Sequence, residues 1–395
     1  MPRRKQGRFR HALCLDDFEQ LGRRHLPRPI FGYVSGAAET NSSLADNRAA
    51  FAELGFVPRS LIDVSKRTMT ARLLGREYAA PFGIAPMGIS ALVAYRGDLV
   101  LARSAAAERI PMIMSGSSLI PLEEVRSANP DAWFQAYLPG DAERIIGLVD
   151  RVERAGFGTL VITVDTPVRA NRENNVRNGF STPLRPSLRL LLDGMLRPRW
   201  TCGTFLRTFA RHGMPYFENS FAHRGAPILS QSVERDFRAK DHLNWAHLDI
   251  IRKRWKGHLV IKGLMSAEDA VIARERGVDA VIVSNHGGRQ LDGTLSPLRV
   301  LPTIVAAVGG SMPVMLDGGV RRGTDVLKAL ALGATFVFVG RPLLYACAVG
   351  GEEGVSYAIG LLKAEIARNM GMMGVNSLQE DFSDRVVPRS RFSMA

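Results

Sequence analysis

Short apolar, β-rich runs recur along the chain with helical patterns between them, the alternation that marks βα units and a parallel sheet. Eight such runs can be read: F-G-I-A-P (82–86), P-M-I-M-S (111–115), W-F-Q-A-Y (133–137), T-L-V-I-T-V-D (159–165), H-L-V-I-K-G (258–263), A-V-I-V-S-N (280–285), P-V-M-L-D-G (313–318) and T-F-V-F-V-G (335–340). Their near-continuous hydrophobicity fits strands covered on both faces. Helical spacing of apolar residues fills 97–109, 141–155, 266–277 and 322–333. Asp141, and Ser266 with Asp269 three residues on, stand in N-cap places, and glycines at 156, 277 and 333 supply stops. Eight βα units predict a closed (β/α)8 TIM barrel, α/β in class.

The runs end in polar residues that a buried strand has no use for: Ser115, Gln135 with Tyr137, Thr163 with Asp165, Lys262, Ser284 with His286, and Asp317. In such a barrel the carboxyl ends of the strands form the mouth where active sites are built, so a convergent ring of polar groups there points to an enzyme. The rhythm breaks over residues 173–240, far longer than an ordinary βα loop. The expected organisation is an N-terminal helical segment over 1–75, with helices around 15–25 and 43–53, packing on the mouth or base. A barrel follows over 76–380, with 173–240 as an excursion, and then a tail over 381–395.

Composition narrows the picture. With 46% apolar residues there is ample material for a core, which excludes disorder of the whole chain. Cys14, Cys202 and Cys347 form neither a disulfide framework nor a zinc cluster, so no metal site is expected and a reducing, cytoplasmic location is the default. The basic N-terminus is not followed by an apolar signal core, and no apolar stretch approaches spanning length. The formal charge of +14 would attract nucleic acid, anionic lipid or acidic substrates. Its distribution favours lipid and substrate: Arg185, Arg189, Arg197, Arg199, Arg207 and Arg211 face only Asp193, with Leu, Trp and Phe interleaved. A nucleic-acid-binding protein would account for the charge but not for polar residues at the strand ends, and no reader motif is present.

S-N-H-G-G-R-Q-L-D-G (284–293), directly after the sixth run, is the most specific segment. An imidazole there can act as a general base near neutral pH, and guanidinium groups match a planar carboxylate better than an ammonium does. Together with D-G-G-V-R-R-G-T-D-V-L-K-A-L-A-L-G-A (317–334) and V-G-R-P (339–342), the segment resembles the FMN-dependent 2-hydroxy acid dehydrogenase and oxidase family, which includes glycolate oxidase, lactate dehydrogenase and mandelate dehydrogenase. The resemblance spans residues 16 to about 380. Within that family, L-L-D-G-M-L-R-P-R-W (191–200) and R-H-G-M-P (211–215) look most like the bacterial membrane-associated (S)-mandelate dehydrogenases. A different FMN barrel enzyme, such as an isomerase, would share the phosphate site but not the S-N-H-G-G-R turn.

What the resemblance implies is specific. His286 would take a proton from the substrate, Asp165 would orient it, and Tyr137 would donate to the reacting hydroxyl. Arg172, Arg289 and Tyr33 would hold the carboxylate. FMN would lie along Pro86, Met87 and Gly88, with Ser115, Gln135, Thr163 and Ser284 at its ring and Lys262 beside N1 and O2. Asp317 would take the ribityl hydroxyls, and Gly318, Gly319, Arg321, Gly340 and Arg341 the phosphate. Ser117 stands where glycolate oxidase carries a bulky tryptophan, which leaves room for a phenyl group. Gly88, where several oxygen-using relatives carry alanine, favours a dehydrogenase over an oxidase. The resemblance also implies a homo-oligomer, typically a tetramer, a quinone acceptor and peripheral contact with the inner face of the cell membrane through 173–215. The residues leave hydride and carbanion routes equally open.

Overall fold

A computed structural model describes residues 8–181, 183, 188–232 and 241–392; Arg185 and residues 1–7 lie outside them. Eight parallel strands form the centre: β1 (Phe82–Ile84), β2 (Ile113–Ser115), β3 (Trp133–Ala136), β4 (Thr159–Thr163), β5 (His258–Leu264), β6 (Ala280–Val283), β7 (Val314–Asp317) and β8 (Phe336–Val339). Each pairs with its sequence neighbour, β8 returns to β1, and a parallel bridge from Ile84 to Met112 joins β1 to the β2 side. The result is the (β/α)8 barrel that the pattern predicts.

Alternation along each strand divides the core. Leu160, Ile162, Leu259, Ile261, Val281 and Val283 face the helices. Ile113, Trp133, Val161, Val260, Ile282, Met315, Phe336 and Phe338 fill the lumen. The polar strand-end residues share the lumen's parity: Ser115 follows Ile113 by two, Gln135 follows Trp133, Thr163 follows Val161, Lys262 follows Val260, Ser284 follows Ile282 and Asp317 follows Met315. They are the uppermost layer of the barrel interior, so the fold that buries the apolar layers also aims the polar one. Gly83 is required by this packing, since a Cβ there would lie 2.8 Å from the Phe338 ring and 2.6 Å from the Pro111 carbonyl.

The predicted barrel helices form over Gly97–Glu108, Ala142–Arg154, Ala267–Glu275 and Gly323–Ala331. Asp141 and Ser266 cap two of them by accepting from Arg144 N at 2.8 Å and Asp269 N at 3.2 Å. The residues that precede β1 serve both ends of the barrel. Helices α1 (Leu15–His25), α2 (Arg28–Ser35) and α3 (Ser42–Ala52) include the elements that close the mouth, while an antiparallel pair, Ala71–Leu73 with Arg76–Tyr78, plugs the base beneath Trp133 and Phe336. The helix α2 and this hairpin were not expected from a segment read as helical only around 15–25 and 43–53.

The excursion contains helices at Glu173–Asn178, Leu188–Met195 and Arg207–His212, with a π-helical stretch at Thr201–Leu206. It is hung on the barrel by Trp200, buried, whose Nε1 donates to the Leu92 carbonyl at 2.8 Å. Arg197 Nε adds a bond to the Leu26 carbonyl at 3.3 Å. Among the described residues, no helix is long and apolar enough to cross a membrane.

Candidate active site

The turn after β6 sets the site. His286, Gly287 and Gly288 all have positive φ, at 57°, 64° and 75°, which folds the chain back over the lumen. Both glycines are needed by their neighbours: a Cβ on Gly287 would come within 2.9 Å of Arg341 Nη1, and one on Gly288 within 2.7 Å of Leu44 N. The turn is fastened to α3 through Asn285, whose side-chain amide exchanges two hydrogen bonds with Asn47, at 2.9 and 2.8 Å. Asp292, in the same segment, accepts from Thr40 N, Thr40 Oγ1, Ser42 Oγ and Ser43 N and so ties the start of α3 to it; these bonds hold its carboxyl well below the usual range although burial acts the other way.

This turn carries His286 to Asp165, at the end of β4, with Nδ1 and Oδ1 2.9 Å apart. Burial lowers the imidazole pKa, and the facing Asp165 carboxylate only partly restores it. His286 is therefore neutral at neutral pH. Nδ1 facing a carboxylate carries the hydrogen, which leaves the Nε2 lone pair free as a proton acceptor. Burial raises the Asp165 pKa, but His286, Lys262 and Arg172 outweigh it and keep the group ionised. The Tyr137 ring lies 6.5 Å from that of His286, and its burial pushes the phenol well above its ordinary range, so it remains a hydroxyl.

Three guanidinium groups converge on the same cavity. Arg289 Nη1 donates to the carbonyls of Tyr33 at 2.8 Å and Gly36 at 2.5 Å, and its charge sits 5.0 Å from the Tyr33 ring centroid. Arg172 Nε donates to the Arg289 carbonyl at 3.0 Å. Arg341 donates to the carbonyls of Val34, Gly36 and Gly287 at 3.0, 3.1 and 2.9 Å. Burial, then the like charge of Arg289 on Arg172 and of Arg321 on Arg341, brings each down to about 10, so both remain cationic. Phe180, from the start of the excursion, packs on Tyr33 with ring centroids 4.5 Å apart.

These groups line a cavity of about 510 Å3, within the usual span of small-molecule sites. Tyr33, Pro86, Met87, Gly88, Ser117, Tyr137, Thr163, Arg172, Lys262, His286, Arg289, Asp317, Gly318, Gly319, Arg321, Gly340 and Arg341 all reach its wall. Ser115, Gln135, Asp165 and Ser284 stand behind it. Ser115 donates to Gln135 Oε1 at 3.2 Å, and Ser284 Oγ accepts from Lys262 Nζ at 2.8 Å and from His286 N at 3.0 Å. Lys262 also pairs with Asp317 at 3.0 Å.

Gln135 Nε2, Thr163 Oγ1 and Asp317 Oδ1 are buried without a hydrogen-bond partner, which native interiors rarely tolerate. A donor amide, a hydroxyl and a carboxylate left unsatisfied around one lumen, beside a cationic glycine-rich turn, fit a polar heteroaromatic ring with a polyol and phosphate tail. Within the S-N-H-G-G-R-Q-L-D-G motif the sequence alone marks no role for Asn285, Gln290 or Asp292, and Asn47 and Phe180 carry no sequence signal, since their partners lie far away along the chain.

Comparison with known proteins agrees with this geometry. Residues 22–387 match the model of the FMN-dependent dehydrogenase family. The chain is 38% identical over 372 residues to (S)-mandelate dehydrogenase of Pseudomonas putida, covering 93% of each protein. It is 38% identical over 375 residues to an L-lactate oxidase of Nostoc, covering 93% of this chain and 95% of that protein. Its fold superposes on a crystal structure described as monotopic membrane protein (S)-mandelate dehydrogenase, with a TM-score of 0.89 at 37% identity, over 96% of this chain and all of that one. The chain with this histidine-bearing turn and cationic cradle thus belongs to the FMN-dependent dehydrogenases, flavoprotein oxidoreductases that act on the CH–OH group of 2-hydroxy acids.

Proposed function

We propose that the protein oxidises an (S)-2-hydroxy acid of the mandelate type to the 2-oxo acid at a membrane surface, and passes the electrons to a quinone. The observation that carries the chemistry is the His286–Asp165 pair facing Arg172 and Arg289 across one cavity. The two guanidinium groups and Tyr33 bind the substrate carboxylate, which orients the adjacent CH–OH toward His286. As the carbonyl forms, the proton passes to His286 Nε2, and the Asp165 carboxylate stabilises the resulting imidazolium. Tyr137 supports the oxygen as its charge develops. FMN, when bound, supplies the two-electron acceptor. Gln135, Thr163, Lys262 and the backbone at Pro86–Gly88 would hold its ring, Asp317 its polyol, and Gly318, Gly319, Arg321, Gly340 and Arg341 its phosphate.

A mandelate-type side chain is supported by the wall at Ser117. A Cβ on Gly88 would approach Ser117 Cβ to 3.0 Å, so the depth of the cavity there is set by two of the smallest side chains. Anaerobic addition of mandelate, lactate and glycolate enantiomers to the yellow protein tests substrate and stereochemistry together. Bleaching by (S)-mandelate and not by its enantiomer is expected. A flavin that no 2-hydroxy acid reduces would refute the reading.

Membrane contact is supported by the excursion's outer surface. Leu188, Leu191, Leu192, Met195, Leu196, Phe205, Leu206 and Phe209 are all exposed there, with Arg199 and Arg211 among them. Apolar groups entering the interface and arginines meeting anionic headgroups is the physics of monotopic binding. Exchanging Leu191 and Leu192 for serine is expected to lower co-flotation with anionic vesicles about tenfold or more, at unchanged flavin content. Equal recovery of variant and parent would remove this surface from the account.

A further inference from the structure

We propose that Gln290 is a positioning residue that locks the carboxylate-binding Arg172 to the proton-accepting dyad, an inference that rests on the roles given above to Arg172, Asp165 and His286. The Gln290 side chain spans from the turn after β6 to the loop after β4. Its Oε1 accepts from Arg172 Nη2 at 2.5 Å, and its Nε2 donates to the main-chain carbonyl of Asp165 at 2.9 Å. Guanidinium has only donors and a peptide carbonyl only accepts, so these partners fix which way round the amide lies.

Each bond answers a need that the local geometry creates. Val164 N donates to the Lys262 carbonyl at 2.9 Å, close to the end of the β4 ladder. Asp165 lies beyond it, and Gln290 takes its carbonyl. Asp165 is thereby held at both ends, by Gln290 on its backbone and His286 on its carboxylate. Arg172 has the opposite problem, since its cation is buried and, in addition, has the like charge of Arg289 close by. The Arg289 carbonyl and the Gln290 amide grip Arg172 through Nε and Nη2 without neutralising it. A carboxylate in place of the amide would hold Arg172 as well but spend the charge that the substrate needs.

The experiment uses FMN-loaded Gln290→Leu and Gln290→Glu, with Leu291→Ala, at an exposed neighbour, as the control. The probe is phenylacetate, a carboxylate with no hydroxyl to oxidise, whose Kd is read from the flavin absorbance. A lost hydrogen bond to a charged group is worth about a factor of ten or more, so Gln290→Leu should weaken phenylacetate about tenfold and raise the KM of the hydroxy acid by more than it lowers kcat. Gln290→Glu should also weaken phenylacetate, because its own carboxylate occupies Arg172. Parental Kd and KM in Gln290→Leu would overturn the proposal. If that variant does not fold, a parental Kd in Gln290→Glu would overturn it equally. Failure of the parent itself to be reduced by any hydroxy acid would instead strike the functional reading, and the phenylacetate titration would still report on Arg172.

Discussion

Replacing His286 with asparagine is expected to leave FMN bound and to slow its reduction by the hydroxy acid about 10²- to 10⁴-fold, the range in which a general base contributes. Asparagine is chosen for the backbone as much as for the ring. Residue 286 has a φ of 57°, and among side-chain-bearing residues asparagine tolerates that region best, so the turn that places Arg289 and Gly287 is retained. The variant should therefore bind phenylacetate like its parent, and stopped-flow reduction at saturating substrate isolates the chemical step. A reduction rate within a factor of a few of the parent's would remove His286 from the base role.

The second large effect concerns Asp165. Changing it to asparagine removes the carboxylate proposed to stabilise the imidazolium and is expected to cost roughly 10²- to 10⁴-fold in kcat/KM. The pH dependence carries a sign that can be checked. In the parent, only neutral His286 accepts a proton, so activity falls as pH drops through a pKa that burial holds below 6.5. Asp165 raises that pKa, and without it the imidazole becomes harder to protonate. The acid limb of kcat/KM in Asp165→Asn should move to lower pH, so its deficit relative to the parent narrows on acidification. A limb that stays in place or moves upward would show that the two residues do not titrate together.

Much of this was readable in the chain because it is local. A strand buried on both faces is a compact apolar run, and the parity that turns Val161 toward the lumen also turns Thr163 there two residues later. The glycines after His286 marked a turn whose neighbours leave no space for a Cβ. What the chain does not show locally is long-range or conformationally unusual. The Asn47–Asn285 exchange joins residues 238 apart, and each asparagine alone reads as an ordinary surface or loop residue. Helix α2 is short, includes Pro29 and Gly32, and is held by its packing, with Tyr33 against Phe180 and a Cβ on Gly32 only 2.6 Å from Asn178. The π-helical stretch 201–206 follows directly on the anchored Trp200 and has no periodicity of its own that a 3.6-residue reading would detect.

Three of the cavity's arginines differ from those elsewhere on the molecule. Arg299 is matched by Asp46 and Glu53, and Arg322 by Glu365, whereas Arg172, Arg289 and Arg341 lean on peptide carbonyls and one amide. Dipoles orient these cations without cancelling them, so like-charge repulsion runs from Arg172 to Arg289 and from Arg341 to Arg289 inside the fold. An anion entering from solution relieves it. Binding of a phosphate or carboxylate among these groups is therefore expected to raise resistance to unfolding, so anion affinity and thermal stability should rise together.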